Sequence, residues 1–226
     1  MKTQVLVVYY STYGHTYTMA CAVADGARSV ENSEVRLRRV PELEEAEEAL
    51  SSQEAYVEAQ EDQSKIPLVT HDDLRWAHGI IWGFPTRFGN MPSQVKQFID
   101  TTGPLWQQGE LEDKATGIFT STATIQGGQE TTIITSLIPL LHLGMIFVGT
   151  PYGQNPQIMT AEAMGGSPYG PGTVAGPEGD LEPLEAELAT ARNLGNRVGR
   201  VAARLKGLRE ETAKGQQGRA EAYEEE

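Results

Sequence analysis

The run Gln4 to Tyr10, QVLVVYY, passes directly into the polar turn Ser11-Thr12-Tyr13-Gly14-His15-Thr16 and then into Met19, Val23, Ala27 and Val30 at helical spacing. A nearly unbroken apolar stretch rich in β-branched and aromatic residues is what a strand buried on both faces of a parallel sheet requires. Parallel strands cannot be joined by tight hairpins, so a crossover must follow, and the helical spacing from about Thr16 to Val30 supplies it. Strand, turn and helix together open a βαβ unit and point the chain toward an α/β fold.

The alternation continues. Val35 and Leu37 mark an edge-like second strand, while Gly79–Gly83 (GIIWG), Ala115–Thr120 (ATGIFT) and Met145–Val148 read as further buried strands. Helices are predicted over Gln94–Thr101, with Ser93 as N-cap, and over Glu130–Leu143, with Ile133, Ile134, Leu137, Leu140 and Leu141 as its apolar face and a kink at Pro139. A closing helix carries Leu184, Leu188, Ala191, Val198 and Leu205 on one face, with Pro183 at its first position. With 226 residues, 39% of them hydrophobic, there is material for one substantial core. The predicted organisation is a single domain over 1–207.

Three stretches break the pattern. Residues 41–65 hold nine acidic residues and one basic one, the mark of a solvated helix or mobile excursion. Residues 151–180 contain seven Gly and five Pro, and an irregular segment of that length in a compact domain is usually functional or interfacial. Residues 208–226 are charged without apolar periodicity and are expected to be a disordered tail.

A formal charge of −13 argues against nucleic acid and anionic membrane surfaces as partners. The one cysteine, Cys21, allows no intrachain disulfide and suits a reducing, cytoplasmic setting. Met1–Tyr10 has no leader-like cleavage site, and no eighteen-residue apolar run predicts a membrane span. The four histidines lack metal-ligand spacing, so no metal site is expected.

In a doubly wound sheet the turns at the carboxyl ends of the strands meet at one edge. The first turn, Ser11 to Thr16, offers hydroxyls, a glycine and a helix N-terminus, which suit either a phosphate or an ordinary helix cap. It matches neither GxxxxGK[ST] nor GxGxxG, which argues against ATP hydrolysis and a nicotinamide-only site. The second, Pro85 to Pro92 (PTRFGNMP), presents a rigid loop with a cation and an aromatic ring suited to a flat heterocycle. The third, Thr120 to Glu130 (TSTATIQGGQE), supplies hydroxyls, amides and two glycines for a ribityl or phosphate chain.

Six ordered motifs, YYSTYGHT at 9–16, GFPTRFGNMPSQVKQFID at 83–100, TGPLW at 102–106, STATIQGGQE at 121–130, HLGM at 142–145 and GGSPYG at 165–170, resemble the WrbA-type, flavodoxin-like NAD(P)H:quinone oxidoreductases over about Thr3–Leu205. The resemblance implies a five-stranded parallel sheet in the order 2-1-3-4-5 with helices on both faces. It implies one FMN per chain, held by Ser11, Thr12, Tyr13, Gly14, His15 and Thr16 at the phosphate, by Thr86, Arg87 and Phe88 near the ring, by Ser121, Thr122, Ala123, Thr124, Ile125 and Gln126 along the third loop, and by His142. Tyr13 matches the position that meets the nicotinamide nucleotide, and Trp106 a substrate-contacting aromatic. The family passes two electrons from NADH or NADPH to quinones by a ping-pong route, with a protective role in oxidative stress. It assembles as a homotetramer whose sites draw on neighbouring subunits, which would give residues 151–180 an interface role. The third loop has fewer glycines than in some relatives, and the 41–65 insert is unusually acidic.

Read without that resemblance, His15 and His142 are more often helix-end capping or packing residues than proton donors, while the polar, glycine-rich surroundings of Trp106 and Phe88 favour stacking on a flat substrate over ordinary hydrophobic packing. His71 and His78 read as structural, and Cys21 as a small buried thiol. A one-electron flavodoxin-type carrier and an FMN-binding sensor or scaffold share the expected fold and remain alternatives.

Overall fold

The computed structural model describes residues 2–224, with side chains for residues 2–208. β1 (Thr3–Tyr9) is central in a parallel sheet, between the edge strand β2 (Ser33–Arg39) and β3 (Gly79–Pro85), with β4 (Ala115–Thr122) and β5 (Ile146–Phe147) following. The order is β2-β1-β3-β4-β5, the doubly wound order predicted for the chain.

A sixth strand, β6 (Gly172–Val174), extends this sheet. β5 pairs with the beginning of β4, Ala115↔Ile146 and Thr116↔Phe147, whereas β6 pairs with its end, Thr120↔Gly172 to Thr122↔Val174. The fifth position of the sheet is thus filled in two pieces, and the intervening chain loops out through short 3-10 turns at Tyr152–Gln154 and Pro156–Ile158. β4 runs two residues past its predicted end, and its last backbone groups need partners. They find them here, with the Thr120 N–H donating to the Pro171 carbonyl at 3.1 Å and the Ala175 N–H to that of Thr122 at 2.8 Å. Gly170 is required for this return, since a Cβ there would lie 2.1 Å from the Ile118 carbonyl oxygen.

Alternation along β1 divides the core into two layers. Val5, Val7 and Tyr9 pack with Met19 and Val23 of α1 (His15–Arg28) and with Leu194 and Val198 of α8 (Glu185–Glu224). Leu6 and Val8 face the other layer, with Leu74, Val95, Leu105 and Ile133. Those four come from α4 (His71–Trp76), α5 (Ser93–Asp100), α6 (Gly103–Gln107) and α7 (Gln129–His142). The acidic insert folds as α2 (Glu44–Leu50), which buries no residue, and α3 (Glu54–Gln63), which buries only Tyr56 and Gln63. A charged helix with so little apolar surface stays on the outside, as its composition predicts.

Several local expectations are corrected. Ser93 is the first helical residue of α5 and Pro92 its N-cap, with no side-chain cap; the Ser93 hydroxyl turns to Gln94 Oε1 at 3.3 Å. Pro183 precedes α8 rather than starting it, and Leu184 is 51% exposed rather than part of the buried face. On α7 the sheet-facing residues are Gln129, Thr132, Ile133, Ser136 and Leu140, which follow the 3.6-residue period. Ile134 and Leu141 fall on the opposite side of the helix and are exposed. α7 continues through Pro139 to His142. The disordered tail expected over 208–226 lies, from residue 209 on, outside the residues whose side chains are described. Among the described residues no helix is long and apolar enough to cross a membrane.

Candidate functional site

At the carboxyl edge of the sheet the turns after β1, β3 and β4 surround a cavity of about 310 Å³. Ser11, Thr12, Tyr13, His15 and Thr16 form one side, Pro85, Thr86 and Arg87 another, and Ser121, Thr122 and Ala123 a third. The convergence expected of the three turns is present. A fourth wall, Ala175 to Gly179, follows β6 and was not predicted at the level of residues; the density of glycine and proline at 176–179 is its only signature in the sequence.

The first turn is built to receive an anion. Gly14, at φ 97°, sits at the N-cap of α1, and no side chain caps that helix. The N–H groups of its first turn have no intrahelical acceptors, and no acidic side chain lies in that turn. The Ser11 hydroxyl accepts from the Gly14 N–H at 3.1 Å, which keeps its own proton free, and Thr16 Oγ1 lies 3.5 Å from Ser121 Oγ across the cavity floor. The helix-cap alternative loses its main support, a capping side chain.

The second turn is a tight two-residue hairpin. The Arg87 N–H donates to the Asn90 carbonyl at 2.9 Å and the Asn90 N–H returns to that of Arg87 at 3.1 Å. Phe88 (φ 53°) and Gly89 (φ 74°) occupy the positive-φ positions of such a turn. An aromatic side chain held there is strained, and Phe88 is fully solvent-exposed at the tip. Arg87 donates to the Thr86 carbonyl at 2.9 Å and to Thr12 Oγ1 at 3.2 Å. Among the described residues it is the one Arg or Lys lining the cavity, against a single carboxylate, Glu178.

In the third loop Ser121 to Ala123 reach the cavity, and Thr124, Ile125 and Gln126 are exposed beyond it. The buried Gln129 ties this loop to the outer segment: its amide donates to Thr122 Oγ1 at 3.1 Å and its carbonyl accepts from the Gly166 N–H at 2.8 Å. Glu187 anchors the same segment. Its carboxylate, 1% exposed, accepts from the Gly165 N–H (2.7 Å), the Thr173 hydroxyl (2.7 Å) and the Leu184 N–H (2.9 Å).

Behind the first turn, Tyr10 is buried and donates its phenol proton to Glu42, at the head of the insert. Burial, then the Glu42 carboxylate, push this phenol far above its ordinary pKa, so it is neutral and a donor at any physiological pH. The insert also grips the turn through Gln60, whose amide reaches the Thr12 carbonyl at 3.3 Å, and through Gln53, which accepts from the Tyr13 phenol at 2.9 Å. None of these partners was singled out from the sequence. Cys21 is partly buried, and burial raises its thiol pKa, consistent with an inert thiol. Among the described residues no three His, Cys, Asp or Glu side chains gather to hold a metal ion.

Two residues expected at the site, His142 at the cofactor and Trp106 at the substrate, lie away from the cavity. α7 leaves the cavity edge at Gln129 and carries His142 about 20 Å away along its axis, to the amino edge of the sheet. α5 runs the same way, so Trp106 on α6 is at that edge too, 61% exposed.

Residues 1–158 match the family model for NADPH-dependent FMN reductase. A curated relative from Geotalea uraniireducens, an NAD(P)H dehydrogenase (quinone), is 49% identical over 202 residues, covering 89% of this chain and 98% of the relative. Another of that name, from Syntrophobacter fumaroxidans, is 51% identical with the same coverage. Among solved structures, a flavodoxin, WrbA-like protein from Agrobacterium tumefaciens matches with a TM-score of 0.64 at 26% identity, over 91% of this chain and 100% of that one.

Proposed function

Because the chain is a WrbA-type, flavodoxin-like member of the NADPH-dependent FMN reductase family, we propose that it is an FMN-dependent NAD(P)H dehydrogenase that reduces quinones to hydroquinones, two electrons at a time and in ping-pong order. The observation that carries this reading is the cavity itself, where an uncapped helix N-terminus and one guanidinium meet. These groups suit a phosphorylated flavin, and FMN when bound supplies the hydride chemistry.

The residues then have separable tasks. The α1 N-terminus with Ser11 and Thr16 holds the phosphate, and Arg87 adds positive charge at the cavity wall. Ser121, Thr122 and Ala123 would hold the polar chain of the flavin with their hydroxyls and backbone, and Ala175–Gly179 close the remaining wall of the cavity. Tyr13 lines the cavity, and the exposed Phe88 and Ile125 follow Arg87 and Ala123 along the second and third turns, apolar surface on which flat partners stack in turn. Tyr13, which also borders a hollow between α1 and α3, is the contact proposed for NADH or NADPH.

Trp106 and His142 can serve such a site only from another copy of the chain. α7 carries an outward stripe, Ile134, Ile138 and Leu141, that is 43–53% exposed, an unusual apolar face for a lone subunit. We place these elements at contacts of a homotetramer, one FMN per chain, in the cytoplasm.

The test is an anaerobic titration of the FMN-loaded protein with NADH or NADPH, followed through the visible flavin bands, with benzoquinone added afterwards. Bleaching by the nicotinamide and full recovery by the quinone is the expected result. Resistance to the nicotinamide, in a protein that a chemical reductant still bleaches, would refute the enzyme and favour the one-electron carrier.

A further inference from the structure

The acidic insert meets the cofactor cavity through a chain of hydrogen bonds whose direction is fixed at both ends. Arg87 can only donate, and it gives an N–H to Thr12 Oγ1 at 3.2 Å. The Glu42 carboxylate can only accept, and it takes the single phenol proton of Tyr10. Thr12 Oγ1 and Tyr10 OH are 3.2 Å apart, and with the Tyr10 proton already committed, the proton between them must belong to Thr12. The sequence Arg87 → Thr12 → Tyr10 → Glu42 therefore runs one way only. Gln94 reinforces the acceptor end, donating to Glu42 and, at 3.1 Å, to the Tyr10 oxygen, while the Leu43 N–H reaches Glu42 Oε1 at 2.9 Å.

We propose that Glu42, acting through Tyr10 and Thr12, is a positioning residue for Arg87 in the cavity. The inference rests on the reading of the cavity as an FMN site for its consequence, though not for its geometry. It also changes the task of Thr12, whose hydroxyl proton points inward to Tyr10 and is not offered to a phosphate. The carboxylate makes Tyr10 a donor, which makes Thr12 a donor to it, which leaves the Thr12 oxygen facing the guanidinium as an acceptor.

Replacing the carboxylate by an amide breaks this logic without changing its shape. In Glu42→Gln the carbonyl can keep Leu43 and Gln94, but the new NH₂ then faces the Tyr10 oxygen. The phenol proton turns to Thr12, whose oxygen then takes protons from both Tyr10 and Arg87, so the guanidinium shares its acceptor and the Thr12 proton loses its partner. Tyr10→Phe cuts the same line at its middle and serves as the second variant should Glu42→Gln fail to fold.

The experiment measures FMN dissociation constants from flavin fluorescence for wild type, E42Q, Y10F, R87A and the double variants. E42Q and Y10F are each expected to weaken FMN about five- to tenfold, the range of one ordinary hydrogen bond. In the R87A background either change should then add less than twofold, because the route it acts through is gone. A full five- to tenfold effect in both backgrounds would overturn the proposal, as would unaltered FMN binding in E42Q and Y10F. In parallel, the guanidinium NMR signal that R87A removes from the FMN-free protein should move in E42Q and Y10F. An unmoved signal refutes the relay whether or not FMN binds, while a moved signal in a chain that rejects FMN refutes only the cofactor reading.

Discussion

The carboxylate of Glu187 holds in place the segment that ends in the fourth wall of the cavity, and its removal should be felt in both stability and cofactor binding. It is 1% exposed and accepts three hydrogen bonds of 2.7–2.9 Å, from the Gly165 N–H, the Thr173 hydroxyl and the Leu184 N–H. Glu187→Ala leaves these three donors without their acceptor, at about 1–3 kcal/mol for each that water fails to reach, so a total of roughly 3–6 kcal/mol is expected. For a chain of this length about 2–4 °C of melting temperature accompanies each kcal/mol, which gives a fall of roughly 6–24 °C. Glu187→Gln keeps the shape and one acceptor but turns an NH₂ toward a donor, and should lose about 2 kcal/mol, or roughly 4–8 °C. Thr173 lies in β6 immediately ahead of Ala175–Gly179, so both variants should also bind FMN more weakly. Melting of the FMN-free protein by circular dichroism, with FMN affinity measured separately, checks both parts. A melting temperature of the alanine variant within 2 °C of wild type would refute the anchoring role.

Three other outcomes follow from packing and charge. Gly195→Ala would set a Cβ 1.9 Å from the Val23 carbonyl oxygen where α8 crosses α1, so a cost of about 3 kcal/mol should overwhelm the helix-propensity gain of about 1 kcal/mol, whereas Gly207→Ala, with nothing within 4 Å, should be stabilising; equal signs in urea unfolding would refute this. At Asp73 burial raises the carboxyl pKa, but hydrogen bonds from Arg38, Thr70 and Arg36 outweigh it and hold it below the usual value. A depressed carboxylate stabilises above its unfolded pKa and loses that stabilisation as the pH falls through the folded value, so Asp73→Asn should cost about 2 kcal/mol at pH 7 and progressively less below about pH 4. A constant cost across that range, from urea unfolding at each pH, would contradict the ion-pair account. Ile138→Asp should reduce the mass found by light scattering if the exposed α7 stripe is a subunit contact, and an unchanged mass argues for a different contact surface.

What the sequence discloses about this molecule depends on how local the cause is. QVLVVY supplies all but the first residue of β1, where an almost unbroken apolar run is buried on both faces, and the turn that follows adopts its conformation through Gly14 and the helix it starts, all within a few positions. The arginine and glycine of the second turn are likewise readable, because a two-residue hairpin is closed by its own backbone. α7 shows where periodicity fails. Apolar residues lie on both its sides, and Thr132 and Ser136 take buried places, so counting hydrophobic positions could not say which face meets the sheet. β6 was equally hidden, since three residues amid glycine and proline form a strand only because the end of β4 is there to pair with them. Trp106 and His142 carry motif resemblance, but their distance from the cavity is set by the direction of α5 and α7, which no motif contains.

The placement of charge explains how so acidic a chain can present an anion site at all. At −13 the molecule as a whole repels phosphorylated ligands, and its long-range field cannot draw them in. Attraction must therefore be local, and the structure concentrates it. The acids of α2 stay fully outside the core, the first turn of α1 has none, and the single lining arginine stands by the turn. Glu42 is the exception that sharpens the point. It turns toward the first turn, yet its charge is met by Tyr10, Gln94 and the Leu43 N–H, so it reaches Arg87 as an ordered line of donors. An acidic residue placed openly in the cavity would compete with a phosphate for the same guanidinium, whereas one placed three hydrogen bonds away orients the guanidinium and leaves its charge for the ligand.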